Sequence, residues 1–440
     1  MEALLLRREP FGGVLAERDG TKVSFLNHSG FEIAYALARG WSEDEIIGHI
    51  RAKFDVPDLD LVKDDIKKFR QMLSNVKEWD TGEGIWEDLS ENNGPRSIPA
   101  LSAPLDLYWE ITSRCNLLCR HCYNESGVRN VEPSLEQVRS VVNELSTMKL
   151  RSIGISGGEP LIRQDLRTIV EWLRPLTLSL VLATNGTLID EESVVWLGEM
   201  IDEVNLSLDA GNREAYEEFR GRRGSFDKCL RGLDLLVKRE VPVIIQTTIS
   251  RFNVDALDEI ADLVIGRGAA AWVVRLPVFS GRAVRNAGDF LSRKELVARE
   301  PVLSEIRRKY QSKLTDLQIG VNFMWSYQEP YTYVQREDRV VSCAAGTVGV
   351  LLTADGRLAP CPLFSGTDFR SAVVWDNSFL KEWKTSRCLQ AMRSLRLHQF
   401  RQCFHCAQFK VKCSGGCRAK SYLSGDLYAT DPDCGYVGRR

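Results

Sequence analysis

The 440-residue sequence predicts an α/β fold: a partial (β/α)6 barrel between a small N-terminal winged-helix-like unit and a C-terminal cysteine-rich unit. Three observations carry this. Strand and helix signals alternate six times between residues 105 and 310, which means parallel strands joined by right-handed crossovers. Before them stand a strand signal and three helical segments. After them the rhythm gives way to short strands, Gly, Pro and eight cysteines.

In residues 1–93, TKVSFLN alternates like a strand and FEIAYALARG reads as a helix stopped by Gly40. Ser42 with Glu45 forms a capping-box signal for a helix to about Phe54. Apolar residues from Val62 to about Val76 fall at helical spacing. Residues 94–104 close a Pro-, Asn- and Ser-rich stretch that reads as a linker.

The barrel strands are expected in LDLYWEIT, SIGIS, LSLVLAT, EVNLSLD, VPVIIQTTI and AWVVRLPV. Helices are expected after Ser134, over DLRTIVEWLRPL, from Glu191 to Met200, as one stretch from Arg213 to Arg239, and over DALDEIADLVIGRG. Six such units closing on themselves form an incomplete version of the eight-stranded barrel. In such barrels reactive groups sit after strand C-termini. Cys115, Gly157, Asn185 and Asp209 all fall there. Residues 311–440 form the cysteine-rich unit.

Composition narrows the function. Hydrophobic residues are 44% and charged residues 27%, as in ordinary globular proteins. A net charge of −2 and an acidic N-terminal unit disfavour nucleic-acid binding. The same weak field gives no pull toward an anionic membrane, and no uncharged apolar run reaches the ~18 residues of a spanning helix. The N-terminus lacks a secretory pattern, so a cytoplasmic protein is expected. There the twelve cysteines argue for metal or redox use rather than disulfides.

Cys115, Cys119 and Cys122 form a C-x3-C-x2-C run. Three thiolates on one loop suit three irons of a four-iron cluster and leave the fourth iron open, whereas electron-transfer clusters use four cysteines. No fourth Cys or His stands at zinc-finger spacing. Gly157-Gly158-Glu159-Pro160 follows the second barrel strand, where glycines allow close backbone approach to a ligand.

These motifs resemble those of radical S-adenosylmethionine (SAM) enzymes, with His121 as the aromatic residue before the third cysteine. The resemblance implies the partial barrel and a [4Fe-4S] cluster on Cys115, Cys119 and Cys122. It implies SAM chelated at the open iron and one-electron cleavage to a 5′-deoxyadenosyl radical. It implies that Gly157, Gly158, Glu159 and Pro160 hold the SAM amino group, with Glu159 as carboxylate for the ammonium. Asn185, Ser207 and Asp209 resemble further SAM contacts, the last two a ribose pair. Asp209 also fits an ordinary helix cap.

Cys343, Gly356-x4-Cys361, Cys403-x2-Cys406-x6-Cys413-x3-Cys417 and Cys434 resemble the SPASM extension of peptide-modifying members. By that resemblance Cys343, Cys361 and Cys417 bind an inner auxiliary iron–sulfur cluster. Cys403, Cys406, Cys413 and Cys434 bind an outer one. The inner cluster is then one ligand short: three-coordinate, open to substrate, or completed by another side chain such as Cys388. Zinc is the alternative for Cys403–Cys417. Cys229 reads as a small buried residue. The aromatics of residues 322–333 read as interdomain packing or a peptide channel.

The N-terminal unit resembles the PqqD-like element that binds a leader peptide by strand addition. Together these resemblances imply a maturase that cross-links or otherwise oxidises a ribosomally made precursor peptide. Its partners are that peptide, with its leader, and a low-potential flavodoxin or ferredoxin. A radical SAM enzyme acting on a folded protein or a haem-like molecule is the alternative. An iron–sulfur redox sensor on DNA is the non-enzyme alternative.

Overall fold

The computed structural model describes residues 3–18, 23–56, 58–74, 76, 78–83, 101–128, 130–314, 316–318, 343–400, 402–403, 406, 415–432 and 434. Cys413 and the aromatics of residues 322–333 lie outside the described residues.

The chain opens with an antiparallel meander, β1 (Ala3–Glu9), β2 (Gly12–Glu17) and β3 (Val23–Leu26). Three helices follow: α1 (His28–Ala38), α2 (Glu43–Lys53) and α3 (Leu59–Met72). The Ser42/Glu45 capping box is present at α2. A further strand, β4 (Glu78–Glu83), lies parallel to β1, so the order is β3-β2-β1-β4. Sequence reading missed β1 and β2, and their burial explains why. Leu4, Leu6 and Leu15 pack under Phe31 of α1, while Leu5, Val14 and Ala16 join the barrel core. A sheet buried on both faces reads as an apolar run rather than an alternation.

That second face fastens the unit to the barrel. Arg7 is fully buried, and its guanidinium donates to the carbonyls of Ala103 (2.7 Å), Pro104 (3.0 Å) and Lys149 (2.9 Å) and to Glu9 (2.8 Å). Glu9 in turn accepts the Ser102 amide at 2.8 Å. Leu101–Pro104, the end of the expected linker, is therefore packed rather than exposed.

The barrel runs β5 (Asp106–Glu110), α4 (Leu135–Leu145), β6 (Leu150–Ser156), α5 (Leu166–Leu173), β7 (Thr177–Thr184), α6 (Ser193–Met200) and β8 (Glu203–Ser207). It continues with α7 (Arg213–Arg220), α8 (Ser225–Lys238), β9 (Val243–Thr248), α9 (Leu257–Gly266) and β10 (Ala271–Arg275). All six strands pair in parallel and in chain order. Two expectations change. The single helix expected over 213–239 is two, because Gly221 caps α7 in the left-handed region (φ 70°). The six strands also do not close on themselves. β11 (Asp316–Gln318) extends the sheet beyond β10, and β12 (Gly349–Leu352) with β13 (Leu358–Ala359) extends it beyond β5.

Burial alternates along β6 to β9. Ile153, Ile155, Leu180, Leu182, Val204, Leu206, Val243 and Ile245 are buried in the core shared with the helices. Gly154, Ser156, Val181, Ala183, Asn205, Ser207 and Gln246 stay half-exposed on the opposite, inner face. Burying each such Val, Leu or Ile is worth about 1.5–3 kcal/mol, so the outer face fixes the register and frees the inner face for chemistry.

The C-terminal segment shares the barrel core through Val350, Leu352, Leu358, Phe379 and Trp383. A second core around Leu351, Phe364, Met392 and Phe400 includes Cys403 and Cys417. Among the described residues no helix is long and apolar enough to cross a membrane.

Candidate functional site

The Cys115–Cys122 loop leaves the C-terminal end of β5 and is held on three sides. Leu118 and Arg120 donate their amides to Arg220 O (3.2 Å) and Phe219 O (2.9 Å) at the end of α7. The Arg282 guanidinium donates to Cys119 O at 2.8 Å. The His121 ring stacks on Phe219 with centroids 4.7 Å apart and planes 9° from parallel. Cys119 is buried, while Cys115 and Cys122 are partly exposed. Burial pushes the Cys115 thiol up to about 12, with Cys119 and Cys122 adding to the rise. It also raises Cys119, against the opposing pull of Arg220. Burial lowers His121 to about 4 and keeps the ring neutral. Among the described residues no trio of His, Cys, Asp or Glu converges on a single ion.

Gly157 and Gly158 lie directly beneath this loop. A Cβ on Gly157 would meet Thr112 O at 2.3 Å, and one on Gly158 would meet Arg114 O at 2.1 Å and the Cys115 Cβ at 3.0 Å. Gly157 also has φ 143°, which side chains disfavour. Pro160 starts the 3₁₀ turn that follows. Glu159 is fully buried, and its side chain faces the protein. It accepts Thr184 Oγ1 (2.7 Å), Asn185 N (2.8 Å) and Leu161 N (3.2 Å). Burial raises its carboxyl against those donors. Asn185 also donates through Nδ2 to Asn116 Oδ1 at 2.9 Å, tying the end of β7 to the cysteine loop.

Asp209, just past β8, is fully buried. It accepts the Thr248 amide at 2.7 Å and pairs with Arg220 Nη2 at 2.6 Å. Arg220 places Nη1 3.6 Å from Cys119 Sγ. Burial works against its charge, but Asp209 and Cys119 together outweigh that and keep it protonated. Ser207 is half-buried on the inner face, and its carbonyl accepts the Cys229 thiol at 3.8 Å. The structure thus brings the triplet, Gly157–Pro160, Asn185 and Asp209 to one end of the barrel. Sequence reading missed Asn116, Arg220 and Arg282, which serve this assembly.

The C-terminal cysteines fall into two groups. Cys343, Cys361 and Cys417 are buried or half-buried; burial raises the Cys343 and Cys361 thiols, and the nearness of Cys417 adds to the rise. Cys403 lies likewise with Cys406 and Cys434. Arg418, fully buried between the groups, donates to Leu427 O (2.8 Å) and Ala429 O (2.9 Å) and faces the Phe400 ring at 4.5 Å. The Cys417 amide donates to Asp431 at 2.7 Å. Cys388 stands apart in the barrel core, its thiol toward Leu358 O and Ser386 Oγ.

Residues 109–264 match the radical SAM superfamily. The mycofactocin maturase MftC of Mycolicibacterium smegmatis is 30% identical over 345 residues, spanning 76% of this chain and 83% of that protein. The chain belongs to the radical SAM superfamily. The AdoMet-dependent heme synthase of Oleidesulfovibrio alaskensis is 27% identical over 369 residues, 79% of this chain and 92% of that protein. The crystal structure of Streptococcus suis SuiB bound to precursor peptide SuiA has the same fold, with TM-score 0.70, 17% identity and 98% of both chains covered.

This radical SAM enzyme therefore uses S-adenosylmethionine and a [4Fe-4S] cluster. Its residues fit that demand. Burial keeps the Cys115 and Cys119 thiols protonated unless metal or a cation stabilises their thiolates, and Arg220 supplies one cation beside Cys119. The two glycines let the Gly157–Pro160 segment pack against the backbone of Thr112 and Arg114 at the base of the cysteine loop, where any side chain would clash.

Proposed function

We propose that this radical SAM enzyme matures a ribosomally made precursor peptide and installs a C–C, C–S or C–O cross-link or another oxidative change. The observation that carries this reading is the open edge of β3. Among the described residues β3 pairs with β2 on one side only, while β4 covers β1 at the other end of the sheet. An unpaired edge in a unit anchored to the barrel by Arg7 suits a leader peptide added as a strand. The likeness of the chain's fold to peptide-bound SuiB and its relation to a mycofactocin maturase support the reading, as does the PqqD-like pattern of the N-terminal unit.

In this reading Cys115, Cys119 and Cys122 hold the cluster, and bound SAM supplies a 5′-deoxyadenosyl radical that takes a hydrogen atom from the peptide. Gly157 and Gly158 give SAM its backbone cradle. Glu159 acts from below, fixing the cradle to Thr184 and Asn185 rather than meeting the ammonium with its own oxygens. Asn185 and Asn116 hold the end of β7 against the loop, and Ser207 lines the inner face. Asp209 keeps Arg220 in place; Arg220 stabilises the Cys119 thiolate and excludes water from it. Cys343, Cys361 and Cys417 are assigned to an inner auxiliary cluster, and Cys403, Cys406, Cys413 and Cys434 to an outer one. A low-potential flavodoxin or ferredoxin delivers the electron, in the reducing cytosol.

The heme synthase relatedness, which spans 92% of that protein, supports a second reading in which the substrate is a tetrapyrrole. Anaerobic co-expression with candidate short peptides from open reading frames near the gene, followed by mass spectrometry, separates the two. A peptide lighter by about two hydrogens, and dependent on its leader, supports the maturase. An unmodified peptide together with turnover of an iron-tetrapyrrole substrate overturns it.

A further inference from the structure

The inner face of the barrel carries a carboxylate that the site above does not use. Glu110 ends β5 and is 5% exposed. Ser365 Oγ donates to it, lying 2.8 and 2.9 Å from the two carboxylate oxygens. Asn124 Nδ2 donates at 3.2 Å, and the Tyr123 hydroxyl is a third partner. These groups come from the two cysteine-bearing segments. Tyr123 and Asn124 follow Cys122, whose thiol donates to Asn124 Oδ1 at 3.0 Å. Ser365 closes the turn that begins at Cys361, its amide bonded to Pro362 O at 3.0 Å.

Of the other buried acids at this end of the barrel, Asp209 is matched by Arg220, and Glu159, also without an ion pair among the described residues, is held by two backbone amides and the Thr184 hydroxyl. Glu110 forms no ion pair among the described residues. An ionised carboxylate buried among neutral donors works against stability, and a glutamine would make comparable hydrogen bonds without that penalty. A buried acid without a counter-cation, beside the reacting groups, is a signature of proton handling. Burial pushes its carboxyl up to about 7. Ser365, Asn124 and Arg370 oppose the rise and Asp355 adds to it.

We propose that Glu110 takes up the proton that leaves the substrate when its carbon radical is oxidised, with the Ser365 hydroxyl as the relay. This rests on the peptide-oxidising reading above. One substrate hydrogen leaves as an atom to the deoxyadenosyl radical. As the new bond forms, the radical loses one electron to a one-electron oxidant of the iron–sulfur class and one proton. Ser365 Oγ gains that proton while its own passes to Glu110, which later releases it to solvent. Glu110 acts through Ser365 and is a positioning and proton-storing residue.

The test uses the full-length enzyme, anaerobically reconstituted, with a synthetic copy of the peptide modified in the co-expression experiment. In Glu110→Gln the iron content is expected to match wild type and deoxyadenosine to form still. Oxidised peptide per deoxyadenosine is expected to fall at least tenfold, within the range of general-base effects. Wild-type product formation is expected to rise with pH through about 7, and that limb is expected to disappear in the variant. Infrared titration of the SAM-free enzyme gives a second readout: a carboxyl band titrating near neutrality in wild type, absent in Glu110→Gln. Ser365→Ala keeps the band and shows the same loss of product. A wild-type ratio of product to deoxyadenosine in Glu110→Gln overturns the proposal. So does that ratio in Ser365→Ala should the glutamine variant fail to load iron, and so does the absence of the band in wild type. If wild type makes deoxyadenosine but never a lighter peptide, the reading of the substrate fails, and the infrared band still decides for or against Glu110.

Discussion

Arg220 and Cys119, 101 positions apart in the chain, meet with Nη1 3.6 Å from Sγ. The end of α7 is thereby bonded to the cysteine loop through both backbone and side chain, and Asp209 holds the guanidinium in place from the end of β8.

Removing this cation leaves Asp209 buried without its counter-charge, with only the Thr248 amide still donating to it. Arg220→Ala is expected to destabilise the fold by about 3–5 kcal/mol, the usual effect of breaking a buried pair. Thermal unfolding and iron quantification check this. A variant with wild-type Tm and iron content would contradict it.

Gly158→Ala places a methyl 2.1 Å from Arg114 O, where only a backbone shift makes room. Deoxyadenosine formation is expected to fall more than tenfold. Gly266→Ala, with nothing within 4 Å of its Cβ, serves as the control. There activity is expected to be unchanged, with stability equal or higher by up to about 1 kcal/mol.

Arg7→Met leaves Glu9 buried without its cation and three carbonyls without a donor. A loss of about 3–5 kcal/mol is expected, read as a lower urea midpoint. The same midpoint as wild type would show that the N-terminal unit does not depend on this junction.

Glu32 gives a pH dependence with a definite sign. Burial pushes its carboxyl up, but hydrogen bonds from His49, Arg8 and Lys53 outweigh that and hold it at about 2, below the unfolded value of 4.5. A depressed carboxyl stabilises above the unfolded value, and the contribution is lost as pH falls from about 4.5 through about 2. The Tm difference between wild type and Glu32→Gln is therefore expected to shrink over that window. A difference independent of pH would contradict the assignment.

The six barrel strands were legible because each carries its apolar residues in a short run or alternation bounded by turn residues, and the cysteine triplet and Gly157-Gly158 fall where those strands end. β1 and β2 were hidden because Leu4, Leu6 and Leu15 face one core while Leu5, Val14 and Ala16 face another, which erases the alternation. The break at Gly221 lay inside an otherwise helical pattern. Arg220 was invisible for a different reason. It stands in a run with Arg222 and Arg223, and only the fold, by bringing Asp209 and Cys119 to it, tells it apart. Glu110 likewise reads as one polar residue in a strand until Ser365 arrives from the far end of the chain.

The most direct test of the central claim is 5′-deoxyadenosine formation by the anaerobically reconstituted Cys115→Ala/Cys119→Ala/Cys122→Ala triple variant with SAM and dithionite. Complete loss, against steady formation by wild type, is the result expected if those three thiolates hold the cluster that opens SAM. Deoxyadenosine at the wild-type rate would contradict it.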